Sequence, residues 1–358
     1  MNKNNRALDN KCPSCNAPLK YNPVYKKWKC EYCDSEFTLE DLKKYDNASS
    51  EKNNQSKDGD DVIYDSYRCP DCGAEIVADE NTSATFCVYC GNTAIIKSKL
   101  SGKFAPSKII PFKTTKEDAI ETFKSLKKGR PLLPKEFVSQ KNIDKITGIY
   151  IPFWLFSAVM DGEVKAMGDK ITTWSSGNTH YTKTDIYELT REGSVSFSKV
   201  PVDGSKKFDD AIMNTIEPFD YNELVDYNHA YLSGFISEKY DVNSDVAQGD
   251  AVNRMANSSL NMFRKTMISY SPVRIIKNGI VAKETTIEYV LLPVWMVNVK
   301  YNDKYYLFAM NGQTGEFIGD MPISKKRELM YALITFTVTF LLIAVISIFI
   351  YFIKKVGI

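Results

Sequence analysis

The residues best placed to do chemistry are eight cysteines: Cys12, Cys15, Cys30, Cys33, Cys69, Cys72, Cys87 and Cys90. They are all the cysteines of a 358-residue chain, and each belongs to a C-x-x-C pair. Two thiolates at that spacing can turn toward one ion, and two pairs set about 15 residues apart have the spacing of a four-cysteine zinc site. Here 14 residues separate the pairs of each quartet, and the second quartet repeats the first 57 positions on, CPSC answered by CPDC and CEYC by CVYC. Units this small cannot bury an adequate core, so an ion is the natural staple. Asn16, Gly73 and Gly91 follow the knuckles and suit tight turns whose N–H groups point at sulfur. The expectation is two structural Zn2+ sites, each a closed tetrahedron of thiolates. Iron in a rubredoxin-like site and redox-active dithiols are the alternatives. Disulfides also come in even counts, but Met1 to Asn10 has no apolar stretch, so no signal peptide and a reducing compartment are expected.

Little else in the sequence resembles a reaction centre. There is no P-loop, no dinucleotide fingerprint, no H-E-x-x-H and no G-x-S-x-G. The two histidines, His180 and His229, sit in polar runs and read as surface or hydrogen-bonded residues. The acid pairs Asp60-Asp61 and Asp209-Asp210 read as solvated. Trp154 and Trp295 read as core residues. No catalytic residue, no small-molecule substrate and no enzyme activity are inferred.

The elements that must position these groups fall into a multidomain layout. Residues 8–38 and 67–98 are the two zinc ribbons. Residues 39–66 carry eight acids and four lysines and read as a flexible linker. Residues 104–322 read as an α+β domain with an internal duplication, its halves 104–200 and 240–322. Ile151-Pro152-Phe153-Trp154-Leu155-Phe156 resembles Leu292-Pro293-Val294-Trp295-Met296-Val297, 141 residues later. Each segment is expected to turn at a polar pair, Asp161-Gly162 or Asn302-Asp303, into another strand. Further strands are expected at Ile171–Trp174, Tyr181–Leu189, Val195–Val200 and Tyr305–Met310, with a turn at residues 311–315. Each segment is preceded by a helix signal. One is a capping box at Thr114-x-x-Glu117 with Ile120, Phe123 and Leu126 on one face and a stop at Gly129. The other is Val252, Ala256, Leu260 and Phe263 at helical spacing.

Met330 to Ile353 is 24 residues without a charge. As a helix it would reach about 36 Å, enough to cross a bilayer. Three basic residues precede it (Lys325, Lys326, Arg327) and two follow (Lys354, Lys355), which weakly favours the larger side as cytoplasmic. The expectation is a single-pass tail anchor in the cell membrane with the N-terminal bulk in the cytoplasm.

Overall charge is +2, so any attraction to phosphate must be local. Residues 1–33 hold Lys3, Arg6, Lys11, Lys20, Lys26, Lys27 and Lys29 against Asp9 and Glu31, with Tyr21, Tyr25 and Trp28 interleaved. Such a surface can bind a single strand, or touch an anionic leaflet. Residues 67–100 are net −1, with Arg68, Lys97 and Lys99 against Asp71, Glu75, Asp79 and Glu80.

The order CPSC…CEYC, CPDCG…CVYCG, then Y-I-P-F-W-L-F with D-G-E-V, then a terminal span resembles a bacterial family of tail-anchored proteins with TFIIB-type zinc ribbons, the YdjG-like family. The resemblance covers nearly the whole chain. It implies the eight cysteines as metal ligands and a partner-recruiting role in envelope stress, with PspA-like or SPFH/flotillin-like membrane-associated proteins as partners. The reading is a non-enzymatic membrane-anchored adaptor. The alternative is a membrane-tethered nucleic-acid-binding protein.

Overall fold

The computed structural model describes residues 11–51, 65–70, 73–78, 87–89, 96–98, 106–207, 213 and 215–356. Near the N-terminus, β1 (Leu19–Asn22), β2 (Lys27–Cys30) and β3 (Glu36–Phe37) form a small antiparallel sheet. Side chains alternate across a strand, so Leu19, Tyr21, Trp28 and Cys30 share its buried face. Helix α1 (Leu39–Glu51) follows directly. The Thr38 and Asp41 side chains each accept the other's backbone N–H, a reciprocal cap. The expectation of a linker without structure over 39–66 is thus corrected for its first part. Its middle lies outside the described residues.

A second, mixed sheet organises nearly everything else. In chain order its strands are β4 (Asp65–Arg68), β5 (Glu75–Ala78), β6 (Ile96–Ser98), β7 (Lys108–Ile109), β8 (Thr147–Ser176), β9 (Thr179–Asp203), β10 (Val225–Asp226), β11 (Ile236–Glu238), β12 (Val273–Asn278), β13 (Val281–Tyr301), β14 (Lys304–Asn311) and β15 (Phe317–Gly319). The order across it is β10-β7-β13-β8-β11-β5-β4-β6, with β9 and β12 also on β8 and the β14-β15 pair on β13. The second cysteine segment is therefore no separate module. Its β5 pairs with β11, Ile236 opposite Ala78, and the boundary expected before residue 104 is not a boundary of the sheet.

The described residues also include the helices α2 (Lys116–Ser125), α3 (Gln140–Ile143, a single turn), α4 (Ser244–Lys265) and α5 (Lys325–Val356). The cap of α2 is Thr115 with Asp118, one residue past the expected box. Thr114 is occupied elsewhere: its hydroxyl accepts the Trp295 indole N–H and donates to Gly312 O. Phe123 and Leu126 are buried as expected, and Gly129 adopts a left-handed φ of 71° after the helix ends. The buried stripe of α4 is Ala247, Ala251, Met255 and Ser259, repeating every four residues. Val252 and Ala256 flank it rather than lead it, because small residues let the helix sit close to the sheet.

The two similar strand segments are neighbours. β8 and β13 run antiparallel, with Ile151 opposite Leu292 and Phe153 opposite Val290. The run Ile149–Phe156 is apolar without a break because both faces are covered. Tyr150, Trp154 and Phe156 enter one core layer, and Ile149, Ile151, Phe153 and Leu155 enter the other. The two tryptophans are tied reciprocally. Trp154 donates to Val242 O at 2.9 Å, beside the N-cap of α4, while Trp295 reaches Thr114, beside the N-cap of α2.

One expected turn is absent. Asp161-Gly162 lies inside β8, a strand of 30 residues, and the chain reverses only at Gly177. Gly162 is needed for clearance: a Cβ there would lie 2.3 Å from Gly279 O. The strands expected at 171–174, 181–189 and 195–200 are parts of one hairpin, β8 with the 25-residue β9. Its tip is a two-stranded arm with Ile171 and Ile186 exposed and Trp174 stacked on Tyr181 at 5.4 Å. The turn at Asn302-Asp303 is present, both residues having positive φ.

Candidate metal centre

The first cysteine quartet converges. The sulfurs of Cys12, Cys15, Cys30 and Cys33 all lie within 4.8 Å of one another. Cys12 and Cys33 are 3.6 Å apart, Cys15 and Cys30 3.5 Å. A tetrahedron with metal–sulfur bonds of about 2.3 Å has edges of about 3.8 Å, so the donor set fits a zinc-sized ion. Cys12 and Cys30 are buried, Cys15 is half-buried and Cys33 is exposed.

Local backbone geometry brings the sulfurs together. Cys12 donates its N–H to Ala17 O at 2.7 Å, and Asn16 donates to Cys12 O at 2.8 Å. Cys30 repeats the pattern with Ser35 O at 2.9 Å and Asp34 at 3.0 Å. Asn16 and Asp34 adopt left-handed φ values of 63° and 57°, which Asn and Asp tolerate better than most side chains. β1 and β2 then place one knuckle opposite the other, Leu19 paired with Cys30.

Crowding of the four thiols is visible in their acidity. The Ala17 N–H draws the Cys15 thiol down, but burial and the three neighbouring sulfurs outweigh it and push it up to about 12. The hydroxyl and N–H of Ser35 hold Cys33 down to about 6. A cation among them would hold all four as thiolates.

The second quartet is seen in part. Cys69 and Cys87 are buried in the core layer that holds Ile76, Ile151 and Val294. Cys72 and Cys90 lie outside the described residues, as does Gly91. The knuckle at Cys69 nevertheless repeats the first two: Cys69 donates to Ala74 O at 2.9 Å, Gly73 donates to Cys69 O at 2.9 Å, and Gly73 has φ 69°.

The two segments are fastened to opposite core layers. Trp28, on β2, is 1% exposed and donates its indole N–H to Ala230 O at 2.7 Å. Its ring packs against Tyr21 and Tyr231 at 4.9 and 5.2 Å. Residues 229–232 form a 3-10 turn capped by Asn228, whose side chain accepts the Ala230 N–H. On the other side, the Tyr89 hydroxyl donates to Glu238 at 2.7 Å, and the Asn298 amide donates to Tyr89 O. Burial pushes the Glu238 carboxyl up to about 8, with Asp241 and Asp203 adding to the rise against hydrogen bonds from Tyr89 and Ser205. Sequence patterns pointed to neither Glu238 nor the Trp28 dock, whose bonded residues are 202 positions apart.

The expected aromatic platform for a nucleic-acid strand is not available as such. Tyr21 and Trp28 are buried in the dock, and of the three only Tyr25 is exposed. Lys20, Lys27 and Lys29 pair with Glu31, Glu36 and Asp34 of the same module. His180 is exposed and lies 2.7 Å from Ser175 Oγ. His229 is pushed down to about 4 by burial and stays neutral at physiological pH. Asp60-Asp61 and Asp209-Asp210 lie outside the described residues.

At the other end, α5 contains one stretch long and apolar enough to cross a membrane, Lys325–Tyr351, with a mean hydropathy of 2.8 and 0% buried over its most apolar window. No family model matches the chain, and no solved structure does. A protein of Bacillus subtilis (strain 168), described as uncharacterized protein YdjG, is 33% identical over 311 residues, 73% of this chain and 91% of that protein. The chain belongs to the family of YdjG.

Proposed function

We propose that the chain is a membrane-anchored, non-enzymatic adaptor that holds partner proteins at the inner face of the cell membrane. The observation that carries this reading is the closed sulfur cluster. Four thiolates fill a tetrahedron, so Cys12, Cys15, Cys30 and Cys33 leave no open position for a substrate and suit a structural Zn2+. Cys69, Cys72, Cys87 and Cys90 are proposed to hold a second Zn2+. The repeated knuckle at Cys69 supports that site, and Gly73 supplies its left-handed turn. The reciprocal tryptophan ties support an internal duplication of one helix and one long hairpin. The apolar helix supports single-pass anchoring, and the flanking Lys325, Lys326 and Arg327 favour a cytoplasmic bulk. Confinement to a membrane raises the effective concentration of any membrane-associated partner, and PspA-like or SPFH/flotillin-like proteins acting in envelope stress are the partners proposed.

The test is affinity purification of the full chain from detergent-solubilised membranes, with mass spectrometry of co-purifying proteins and metal analysis of the product. Two zinc ions per chain and a stoichiometric protein partner, lost in a chain lacking residues 330–358, support the reading. Nucleic acid or a substrate-processing activity in place of a partner would replace it.

A further inference from the structure

The first turn of the apolar helix is held against a surface loop. Ser324 donates its N–H to Leu132 O at 3.0 Å. Arg327 donates from one guanidinium nitrogen to Pro131 O at 3.0 Å and to Leu133 O at 2.6 Å. These bonds fix residues 131–133 beside the point where the apolar run begins. From Arg327 to Met330 the helix rises only about 5 Å. The headgroup layer of a bilayer is roughly 5–7 Å deep on each side. Once the helix is embedded, the loop lies at headgroup depth.

The loop is strongly basic. Residues 124–135 hold Lys124, Lys127, Lys128, Arg130 and Lys135 and no acid, and residues 324–329 add Lys325, Lys326 and Arg327 against Glu328. Lys124, Lys127, Lys128, Lys135, Lys325 and Lys326 are exposed, and none makes an ion pair among the described residues. Some lysines elsewhere face carboxylates, among them Lys20, Lys27, Lys29, Lys113 and Lys283, and others such as Lys116 and Lys277 do not among the described residues; what sets residues 124–135 apart is the run of cations beside the start of the apolar helix. The loop is also well held. Leu133 and Phe137 are buried, Lys128 donates to Ser125 O at 2.9 Å, and Arg130 lies over the Phe317 ring at 5.8 Å.

We propose that residues 124–135 form a surface for the phosphate headgroups of anionic phospholipids, seating the domain on the membrane at a fixed tilt. The inference rests on the membrane reading above. Unpaired cations within a Debye length of a negatively charged leaflet are attracted to it. A loop pinned at that depth faces lipid before any soluble polyanion.

The test uses the full chain, reconstituted into vesicles of phosphatidylcholine alone or with roughly one third phosphatidylglycerol. Lysines are labelled with a membrane-impermeant amine reagent and read residue by residue by mass spectrometry. Labelling of Lys127, Lys128 and Lys135 is expected to fall about threefold or more in the anionic vesicles and to recover in high salt, while Lys183 on the hairpin arm does not change. In a Lys127→Ala/Lys128→Ala variant, the protection of Lys124 and Lys135 is expected to weaken. Equal labelling in both vesicles, with the chain still floating with them after a carbonate wash, overturns the headgroup surface alone. Protection by an added single-stranded oligonucleotide in neutral vesicles, and not by anionic lipid, also overturns it. Failure to float with either vesicle overturns the membrane reading and this inference with it.

Discussion

The two cysteine segments have the same spacing and different places in the structure. The first makes its own three-stranded sheet and docks on residues 230–234, where Tyr21 and Trp28 pack against Tyr231 and Tyr21 donates its N–H to Ser233 O at 3.3 Å. The second contributes β4, β5 and β6 to the central sheet and buries Cys69 and Cys87 beneath it. Repeated ligand spacing therefore specifies a repeated knuckle but not a repeated module. Whether a knuckle stands alone depends on what its flanking strands can pair with. β1 pairs with β2 of its own segment, while β5 pairs with β4 of its own segment on one edge and with β11 on the other.

The sharpest way to break this comparison is to remove one ligand from each quartet. Cys30→Ser should abolish ordered structure over residues 11–38 and leave the central sheet intact, since structural zinc contributes on the order of 10 kcal/mol to small modules. Hydrogen exchange should then show lost protection in β1 and β2 and unchanged protection in β8 and β13. Cys69→Ser should instead spread into β5 and β11 and lower the melting temperature of the whole chain. If both variants lose only their own segment, the second quartet is as independent as the first.

A smaller effect is expected at the dock. Trp28→Ala removes a fully buried indole and its bond to Ala230 O, a loss of about 3–5 kcal/mol. The first module should swing free with its sulfur cluster intact, so limited proteolysis should cut around residues 39–51 while any metal bound by that cluster is retained. Retained protease resistance would mean that the Tyr21 N–H bond to Ser233 O and Lys20 beside Gly234 hold the module without the tryptophan.

The smallest effect is electrostatic and belongs to the second segment. Glu238, against Tyr89 with Asp203 and Asp241 nearby, is pushed up to about 8. The folded chain then binds a proton that the unfolded chain has lost, so stability falls as pH rises from about 4.5 through 8. From pH 7 to 8 the loss is at most about 1.4 kcal/mol. Glu238→Gln should flatten that slope in urea unfolding followed at both values. An unchanged slope would show that another group carries it.

Much of the local chemistry was legible in the sequence. The cysteine spacing pointed to the first sulfur cluster, and Asn16 and Gly73 marked turns that need left-handed backbone. The likeness of the two P-x-W segments is visible in the sequence. Their pairing with each other is not, because register across 141 residues depends on which faces are covered. The turn expected at Asp161-Gly162 failed for a related reason. A glycine in a strand signals either a bend or a close backbone, and only the approach of Gly279 distinguishes them.

By itself, then, the sequence determined which groups could take a metal, which stretch could enter a bilayer, and where α2 and the two P-x-W strands would form. Those properties depend on residues a few positions apart: ligand spacing, capping pairs and an unbroken apolar run. Only the tertiary structure decided that Trp28 would be a dock rather than a stacking platform. It also decided that one cysteine segment would stand apart while the other joined the sheet, and that the basic loop at 124–135 would meet the start of the apolar helix. Such contacts join residues up to 202 positions apart. They follow from the geometry of two buried faces meeting, which no local pattern encodes.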